Sequence, residues 1–563
     1  MNFQLFVPIG RKIALTLVVL LGVLVLLAGA ASGVAVQRWQ SNDLDGAVGW
    51  GKVAAPGVEV LSVVSLRRVP VVEVWKNSLR LLKQWPELQE QLAEVLPANE
   101  PEVVLDLAAA ARLLNQVEPD LQPLLTNLDR AVILRPLLKN HDFKAYQQKL
   151  TAVTALLNYL SQNSQAWVVV LQNSDELRAT GGFPGSYALV TMENGRITNL
   201  VVEDIYDADG QFTGYIEPPP GVREYLAGNK GLRLPDANWQ ADFRESGQQM
   251  LDFFEIAGKK HLGGMVALNL PLVEDLLAMT GPVRVLDYDT NLTPESLSTA
   301  LRSGRDTFFP GSAQKKHLLE LAWLQFQLAL TQLPNEKKLE AGQILLNGIN
   351  TKQLLAYSPN EALQPAIEAL GASGRLNNYQ AEEYFYLLES NVGINKANVG
   401  ITRNYDLVWQ PAAMQLNINF TNHNQPKTQQ EIFLIEASSS IQEAPHNGYV
   451  NYQRVLLPAA WEVEKVEYQD QAITNFDTTF ITTPENTKLK QIGFLLTLPE
   501  NSSGQLKIHL KKPAATSNSP TQLAIQKQPG IRTIPVKITT PNQEIEFNLE
   551  TDTLLQMPDL VLQ

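Results

Sequence analysis

Apolar and polar positions along the chain change period several times, and each change marks a change of architecture. After an uncharged N-terminal stretch, residues 41–165 carry apolar side chains at three- and four-residue spacing, as in Val72–Leu82, Leu88–Leu96 and Val103–Val117. That spacing predicts amphipathic helices. Prolines at 86, 97, 101, 119 and 123 predict that these helices are short, because proline is tolerated in a first turn but interrupts a helix interior. At Trp167 the period shifts to a continuous apolar run ending at Leu171, followed by the polar, turn-prone Gln172–Asp175, as in a buried strand.

Two further strand-like segments, Tyr187–Met192 and Arg196–Val202, are joined across Glu193, Asn194 and Gly195. Asn-Gly is a strong hairpin signal because both residues accept positive φ. This leaves the glycine-rich stretch Arg178–Ser186 between two strands. Glu245–Ala257 then reads as a helix, Met265–Leu268 as a strand, and Leu272–Met279 as a helix stopped by Gly281 and Pro282. Residues Thr293 to about Glu389 return to helical spacing, with a helix start at Ser358, Pro359 and Glu361 and a stop at Gly371. From about Asn404, alternating segments such as Met414–Phe420, Glu431–Ile435, Gln491–Leu498 and Gln505–Leu510 predict a β-sandwich. Pro513–Gln528 reads as a loop rich in Ser, Thr, Asn, Pro and Gln.

The expected fold class is therefore a multidomain α+β chain. A cytoplasmic tail (1–12) leads to a transmembrane helix (13–36), a helical membrane-proximal domain (37–165), a central α/β domain with a helical extension (166–403), and a C-terminal β-sandwich (404–563). The span rests on 24 uncharged residues from Ile13 to Val36, about 36 Å as a helix against a hydrocarbon core of roughly 30 Å. Arg11 and Lys12 precede it, whereas Arg38 is offset by Asp43 and Asp45 beyond it, which orients the N-terminus inward and the bulk outside. A cleaved signal peptide is the alternative, with Ala28, Ala30 and Ala31 as the small residues near the cut. Both readings export the body of the chain.

Composition narrows the chemistry. The chain has no cysteine, which removes disulfides, thiolate metal sites and cysteine nucleophiles. A net charge of −13 argues against a nucleic-acid partner, since phosphate binding needs a basic face. Six scattered histidines supply neither an H-E-x-x-H pair nor, elsewhere, a G-x-S-x-G elbow.

Three segments carry candidate chemistry. In N-S-D-E-L-R-A-T-G-G-F-P-G-S, Asn173–Ser186, Gly181 and Gly182 free backbone N–H groups and Arg178 adds a forked donor, a combination suited to an anion. It is neither a P-loop nor a dinucleotide fingerprint, because no Lys-Ser or Lys-Thr follows and the next element is a strand. Glu203, Asp204, Asp207 and Asp209 crowd ahead of Gly210; Asp207 and Asp209 are the candidate metal ligands, although the EF-hand template fails. In P-D-A-N-W-Q-A-D-F-R, Pro235–Arg244, Asp242 is a natural N-cap with Glu245 completing a capping box. Asp236 and Asn238 lack such an explanation and are the candidate catalytic residues. For each segment a plain structural role is the competing reading.

Together with E-D-I-Y-D-A-D-G (203–210), G-G-M-V-A-L-N-L and T-G-P-V (263–283), and N-V-G-I-N-K-A-N (391–398), these motifs resemble the domain of unknown function 4012 family over roughly Val168–Arg403. The resemblance implies an N-terminal membrane segment and carries over no activity. Arg244 stands where the family pattern has proline. A more distant likeness is to the LytR-CpsA-Psr envelope transferases, which implies arginines gripping a lipid pyrophosphate; Arg178, with Arg233 or Arg244, would take that part, and a divalent cation such as Mg²⁺ would be the cofactor. The expected function is a membrane-anchored, extracytoplasmic cell-envelope protein that binds or transfers an anionic lipid-linked glycan. The alternative is a non-catalytic surface scaffold or adhesion protein binding a partner, another envelope component, through its β-sandwich.

Overall fold

The computed structural model describes residues 38, 44–64, 69–95, 105–132, 142–285, 287, 290–297, 313–376, 383–410, 412–426, 448–483, 485–513 and 522–556. The expected membrane span at 13–36 and the expected strand at 431–435 lie outside them. Among the described residues no helix is long and apolar enough to cross a membrane. The protein is a mixed α+β chain with several sheets. It divides into two compact units, residues 1–164 with 193–197, and residues 165–192 with 198–563.

The first unit is helical: α1 (Leu44–Val64), α2 (Pro70–Val95), the short β1 (Leu105–Asp106), α3 (Leu107–Arg130) and α4 (Phe143–Gln162). Its helices are longer than the prolines predict, because Pro56, Pro86, Pro119 and Pro123 lie inside them. Packing between neighbouring helices outweighs the lost backbone bonds. Ala54, Val58 and Leu79 bury the α1–α2 seam. Amides bridge the others: Gln84 donates to Asp120 at 3.0 Å, Gln91 to Gln116 at 2.6 Å, and Asn115 and Asn158 to each other at 2.7 and 3.1 Å. Asp106 and Asp142 cap α3 and α4 by accepting from Ala109 and Ala145, each satisfying one of the orphan donors of a first turn. Pro97 and Pro101 lie outside the described residues.

The second unit begins with β2 (Gln165–Asn173), β3 (Phe183–Glu193) and β4 (Arg196–Asp204), then the one-turn helices α5 (Ile205–Asp209) and α6 (Val222–Tyr225) and a 3₁₀ turn at Leu234–Trp239. Asn194 and Gly195 take φ of 50° and 80°, the conformation their sequence signals. Then come α7 (Phe243–Ile256), β5 (Leu262–Asn269), α8 (Leu270–Thr280), β6 (Val283–Val285), β7 (Thr290–Leu292), α9 (Ala313–Thr331), α10 (Asn335–Asn350), β8 (Leu354–Tyr357) and α11 (Gln364–Leu370). The sheet runs β4-β3-β2-β5-β8. Its central pair, β2 and β5, is parallel and brings Gln172 beside Asn269 at the strand ends. Phe253, Phe254, Met250 and Trp239 pack with Val168, Val170 and Met265 in one core.

The stretch 293–389 is only partly helical. β8 joins the central sheet, and β9 (Glu383–Asn391) is buried at every position. An uninterrupted apolar run such as Tyr384–Leu388 has no visible period of two, which is why it passes for helix. The helix expected at Ser358 starts at Gln364 instead, with Ser358 Oγ donating to Gly263 O.

The remaining strands are β10 (Ile401–Trp409), β11 (Ala413–Asn422), β12 (Tyr449–Pro458), β13 (Glu462–Tyr468), β14 (Gln471–Ala472), β15 (Asp477–Thr482), β16 (Lys488–Leu498), β17 (Ser502–Lys511), β18 (Gln522–Gln526), β19 (Ile534–Thr539), β20 (Glu544–Leu549) and β21 (Thr553–Gln556). They form two sheets, β14-β13-β17-β11-β10-β19-β20 and β15-β16-β12-β9-β18-β21. Both contribute to one apolar core containing Leu407, Leu416, Ile508, Phe385, Val455 and Ile492. The sandwich thus takes in β9, upstream of residue 404, and β18 falls inside the segment expected to be a loop.

The link after β18 presses on the central domain. Gly530 has φ of 81°, and a Cβ there would lie 1.9 Å from the carbonyl oxygen of Gly181. Gly530→Ala is expected to lower unfolding stability by about 3 kcal/mol or more, since backbone strain and overlap act together, and a urea titration measures the loss. A midpoint unchanged from wild type would show that the two segments do not meet as closely as described.

Candidate functional site

The glycine-rich segment, the D-A-N-W segment and the G-G-M-V-A-L-N-L segment converge. Gln172 and Asn269 end the parallel strands β2 and β5, the loop after β2 returns Thr180 over them, and the 3₁₀ turn inserts Asn238. All four side chains are buried. Asn238 Nδ2 donates to Gln172 Oε1 at 2.7 Å, Thr180 Oγ1 at 3.0 Å and Gly182 O at 2.8 Å. Thr180 Oγ1 donates to Gln172 Oε1 at 2.6 Å, and Gln172 Nε2 donates to Asn269 Oδ1 at 3.2 Å and Thr180 O at 3.1 Å. Asn269 Nδ2 reaches Lys352 O at 3.1 Å. The amide nitrogens and the hydroxyl all find acceptors in this network, whereas Asn238 Oδ1 has no donor among the described residues.

The glycines serve this closure. A Cβ on Gly181 would fall 2.2 Å from the Asn269 amide, and one on Gly182 2.4 Å from the Asn173 carbonyl carbon. The Gly181 N–H is spent on Arg178 O at 3.0 Å. Bare backbone here permits close packing of protein on protein.

Arg178 is 1% exposed. It donates to Asn391 O on β9 and to Glu176 Oε1 at 3.1 Å, lies 3.7 Å from Asp236 Oδ1, and stacks 5.7 Å from the Phe183 ring. Its loop is also held by backbone: Asn391 N donates to Leu177 O at 2.8 Å, and Asn398 N to Asp175 O at 3.1 Å. The side chain of Asn398 accepts from Leu177 N at 3.1 Å, and Asn391 Nδ2 donates to Asn395 O and Asn398 Oδ1. The N-V-G-I-N-K-A-N motif is therefore the receiver of the glycine-rich loop. Gln528 completes the joint, donating to Arg178 O at 3.0 Å and Glu389 O at 2.8 Å while accepting from Glu389 N at 2.8 Å.

Residues 162–305 match the DUF4012 family, described as a protein of unknown function. The motif resemblance holds over that segment. No curated protein matches the chain. The DUF4012 segment contains the glycine loop, the acidic turn and the D-A-N-W turn, whereas their receivers Asn391, Asn398, Arg454 and Gln528 lie beyond it.

The structure also places the acidic residues of this DUF4012 segment. Asp209 is gripped by Arg233, whose Nε donates to both carboxylate oxygens at 3.1 Å, and it accepts from Leu234 N at 2.9 Å. Asp204 caps α5, and Glu203 accepts from the Tyr187 hydroxyl and from Lys259 at 2.6 Å. Asp207 sits exposed on α5. Among the described residues no group of three His, Asp or Glu could hold a metal ion. Asp242 caps α7 as its sequence indicates, accepting from Arg244 N at 3.0 Å, and the Arg244 side chain pairs with it at 2.8 Å.

Arg454 and Gln528 escape sequence reasoning because nothing flanks them with a motif. Arg454, on β12, is fully buried, lies 4.5 Å from the Trp239 ring and donates to Trp239 O at 2.8 Å. Burial pushes its guanidinium down to about 10. Among the clefts that the described residues form, one of about 450 Å³ lies beside Lys352, Glu368, Arg375 and Asp552, and one of about 590 Å³ beside Arg244, Glu245, Gln248, Asp252 and Tyr357. Arg178, Gly181, Asp236 and Asn238 line neither.

Asp236 alone among the convergent motif residues combines a partly exposed side chain, 16%, with a perturbed carboxyl. Burial pushes it from 3.8 up to about 6, against the opposing pull of Arg178 and with further upward pushes from Glu176 and Asp209. Because the folded pKa exceeds the unfolded one, the folded state binds the proton more tightly. The resulting stability is complete below about pH 4 and is lost as pH rises through about 6. Asp236→Asn, which mimics the protonated form, is expected to remove a loss on the order of 2 kcal/mol between pH 4.5 and 7.5 and to match or exceed wild-type stability at pH 7.5. Denaturant midpoints at the two pH values test this, and a variant weakened at pH 7.5 would contradict it.

Proposed function

We propose that this protein is a membrane-anchored, extracytoplasmic cell-envelope scaffold, held by residues 13–36 and binding a partner, without catalysing a reaction, through its C-terminal β-sandwich. One observation carries the non-catalytic reading: the side chains that most resemble chemistry, Arg178 and Asn238, are 1% and 0% exposed and make every hydrogen bond described for them to the protein itself, with only Arg178 Nε and Asn238 Oδ1 left without a partner among the described residues. An anion gripped by both terminal nitrogens of Arg178 would displace Glu176 and the Asn391 carbonyl, leaving a buried carboxylate without its partner. Breaking such a pair costs several kcal/mol. These two clefts offer little to a pyrophosphate, because carboxylates stand beside their cations: Asp552 by Lys352, Glu368 by Arg375, and Glu245 and Asp252 near Arg244. Within the second unit, a central sheet joined to a two-sheet sandwich through buried hydrogen bonds suits a rigid support better than a mobile active site.

The competing reading, binding or transfer of an anionic lipid-linked glycan with a divalent cation such as Mg²⁺, has one observation in its favour. Asp236 is part-exposed with a carboxyl near 6, a value useful to a general acid or base. Full-length protein in detergent, titrated with a polyprenyl-pyrophosphate analogue with and without Mg²⁺, separates the readings. The scaffold reading predicts no Mg²⁺-dependent binding by wild type or Asp236→Asn. Cation-dependent binding to wild type that Asp236→Asn abolishes while remaining folded would overturn it in favour of the glycan reading.

A further inference from the structure

Helix α1 carries an apolar arc wider than the face it buries. Of its 21 residues, L-D-G-A-V-G-W-G-K-V-A-A-P-G-V-E-V-L-S-V-V, only Asp45, Lys52 and Glu59 are charged. One face, with Ala47, Val48, Ala54 and Val58, is buried against the helical unit, each residue no more than 5% exposed. The flank beside it is exposed and carries Trp50 at 42% and Val53 at 66% with exposed Gly49 next to them, while Lys52 and Glu59 are exposed on the other flank. A helix whose apolar arc is wider than one contact face ordinarily has that whole arc covered. This one is covered on a single side.

Sequence position indicates what lies against the other side. Residues 37–43, seven residues, separate α1 from the uncharged run 13–36. Fully extended they reach roughly 25–30 Å, so the start of α1 cannot stand farther than that from the outer end of the span. Such a tether holds a weak contact at high effective concentration, and two apolar side chains then suffice where they would not hold a free protein. Tryptophan favours the interfacial layer, where its ring is buried among acyl chains and its N–H meets headgroups.

We infer that the Trp50–Val53 face of α1 lies in the interfacial layer of the membrane, as a second contact beside the anchor; this rests on the anchor reading of residues 13–36. The absence of cysteine makes the test direct. Full-length Val53→Cys and Val132→Cys, the latter a 64% exposed position after the end of α3, are each labelled with a nitroxide in vesicles of phosphatidylcholine and phosphatidylglycerol. Flotation is measured first: a chain that does not co-float with vesicles overturns the anchor, and this inference with it. In co-floating protein, collision with oxygen and with a water-soluble nickel chelate is then compared. The expected result is a label at 53 that oxygen reaches and the chelate does not, and the reverse at 132. Equal access of the chelate to both positions would overturn the membrane contact while leaving the anchor standing. Exclusion of both quenchers from position 53 would overturn it too, in favour of a protein surface covering the face.

Discussion

A single buried amide, Asn238, sets much of the architecture of the central domain. Its Nδ2 group reaches the end of β2, the hydroxyl of the returning loop and the loop backbone at once. None of these acceptors has water to fall back on, so each must find its partner inside the protein. That requirement fixes how far the loop can stand from the strand ends, and the distance admits no Cβ at Gly181 or Gly182. The loop so placed delivers Arg178 to β9 and its own carbonyl to Gln528. The central sheet and the sandwich are joined through the same polar chain.

This joint recasts what a motif means here. Glycines beside an arginine suggest a cradle for an anion, and a run of carboxylates suggests a cation. In the folded chain the arginine has a carboxylate and a carbonyl, the glycines have an amide and a backbone, and Asp209 has Arg233. Internal recognition between distant segments uses the same groups as ligand recognition. Spacing within one segment cannot separate the two, because what decides is a partner more than 200 residues away, as with Arg178 and Asn391.

Local signals were the legible part. The Asn194-Gly195 turn, the Asp242 cap, the strand at Trp167 and the alternating strands from Met414 onward follow from propensity and period alone. The proline rule failed in α2 and α3, where contacts with neighbouring helices compensate for the interrupted ladder. β9 was illegible because a strand buried on both faces loses its alternation, and Arg454 because it stands alone on its strand. The convergence of the glycine loop, the D-A-N-W turn and Asn269 was foreshadowed only by their belonging to one family pattern. Their mutual hydrogen bonds are a property of the fold.

The central claim is that these motif residues hold two layers of the protein together. Hydrogen exchange of the full chain, compared between wild type and Asn238→Ala, tests it most directly. If the joint is continuous, loss of Asn238 lowers protection at the ends of β2 and β5 and also in β9 and the link around Gln528, on the far side of the Arg178 contact. Loss of protection confined to the 3₁₀ turn, with β9 and Gln528 exchanging as in wild type, would contradict the account.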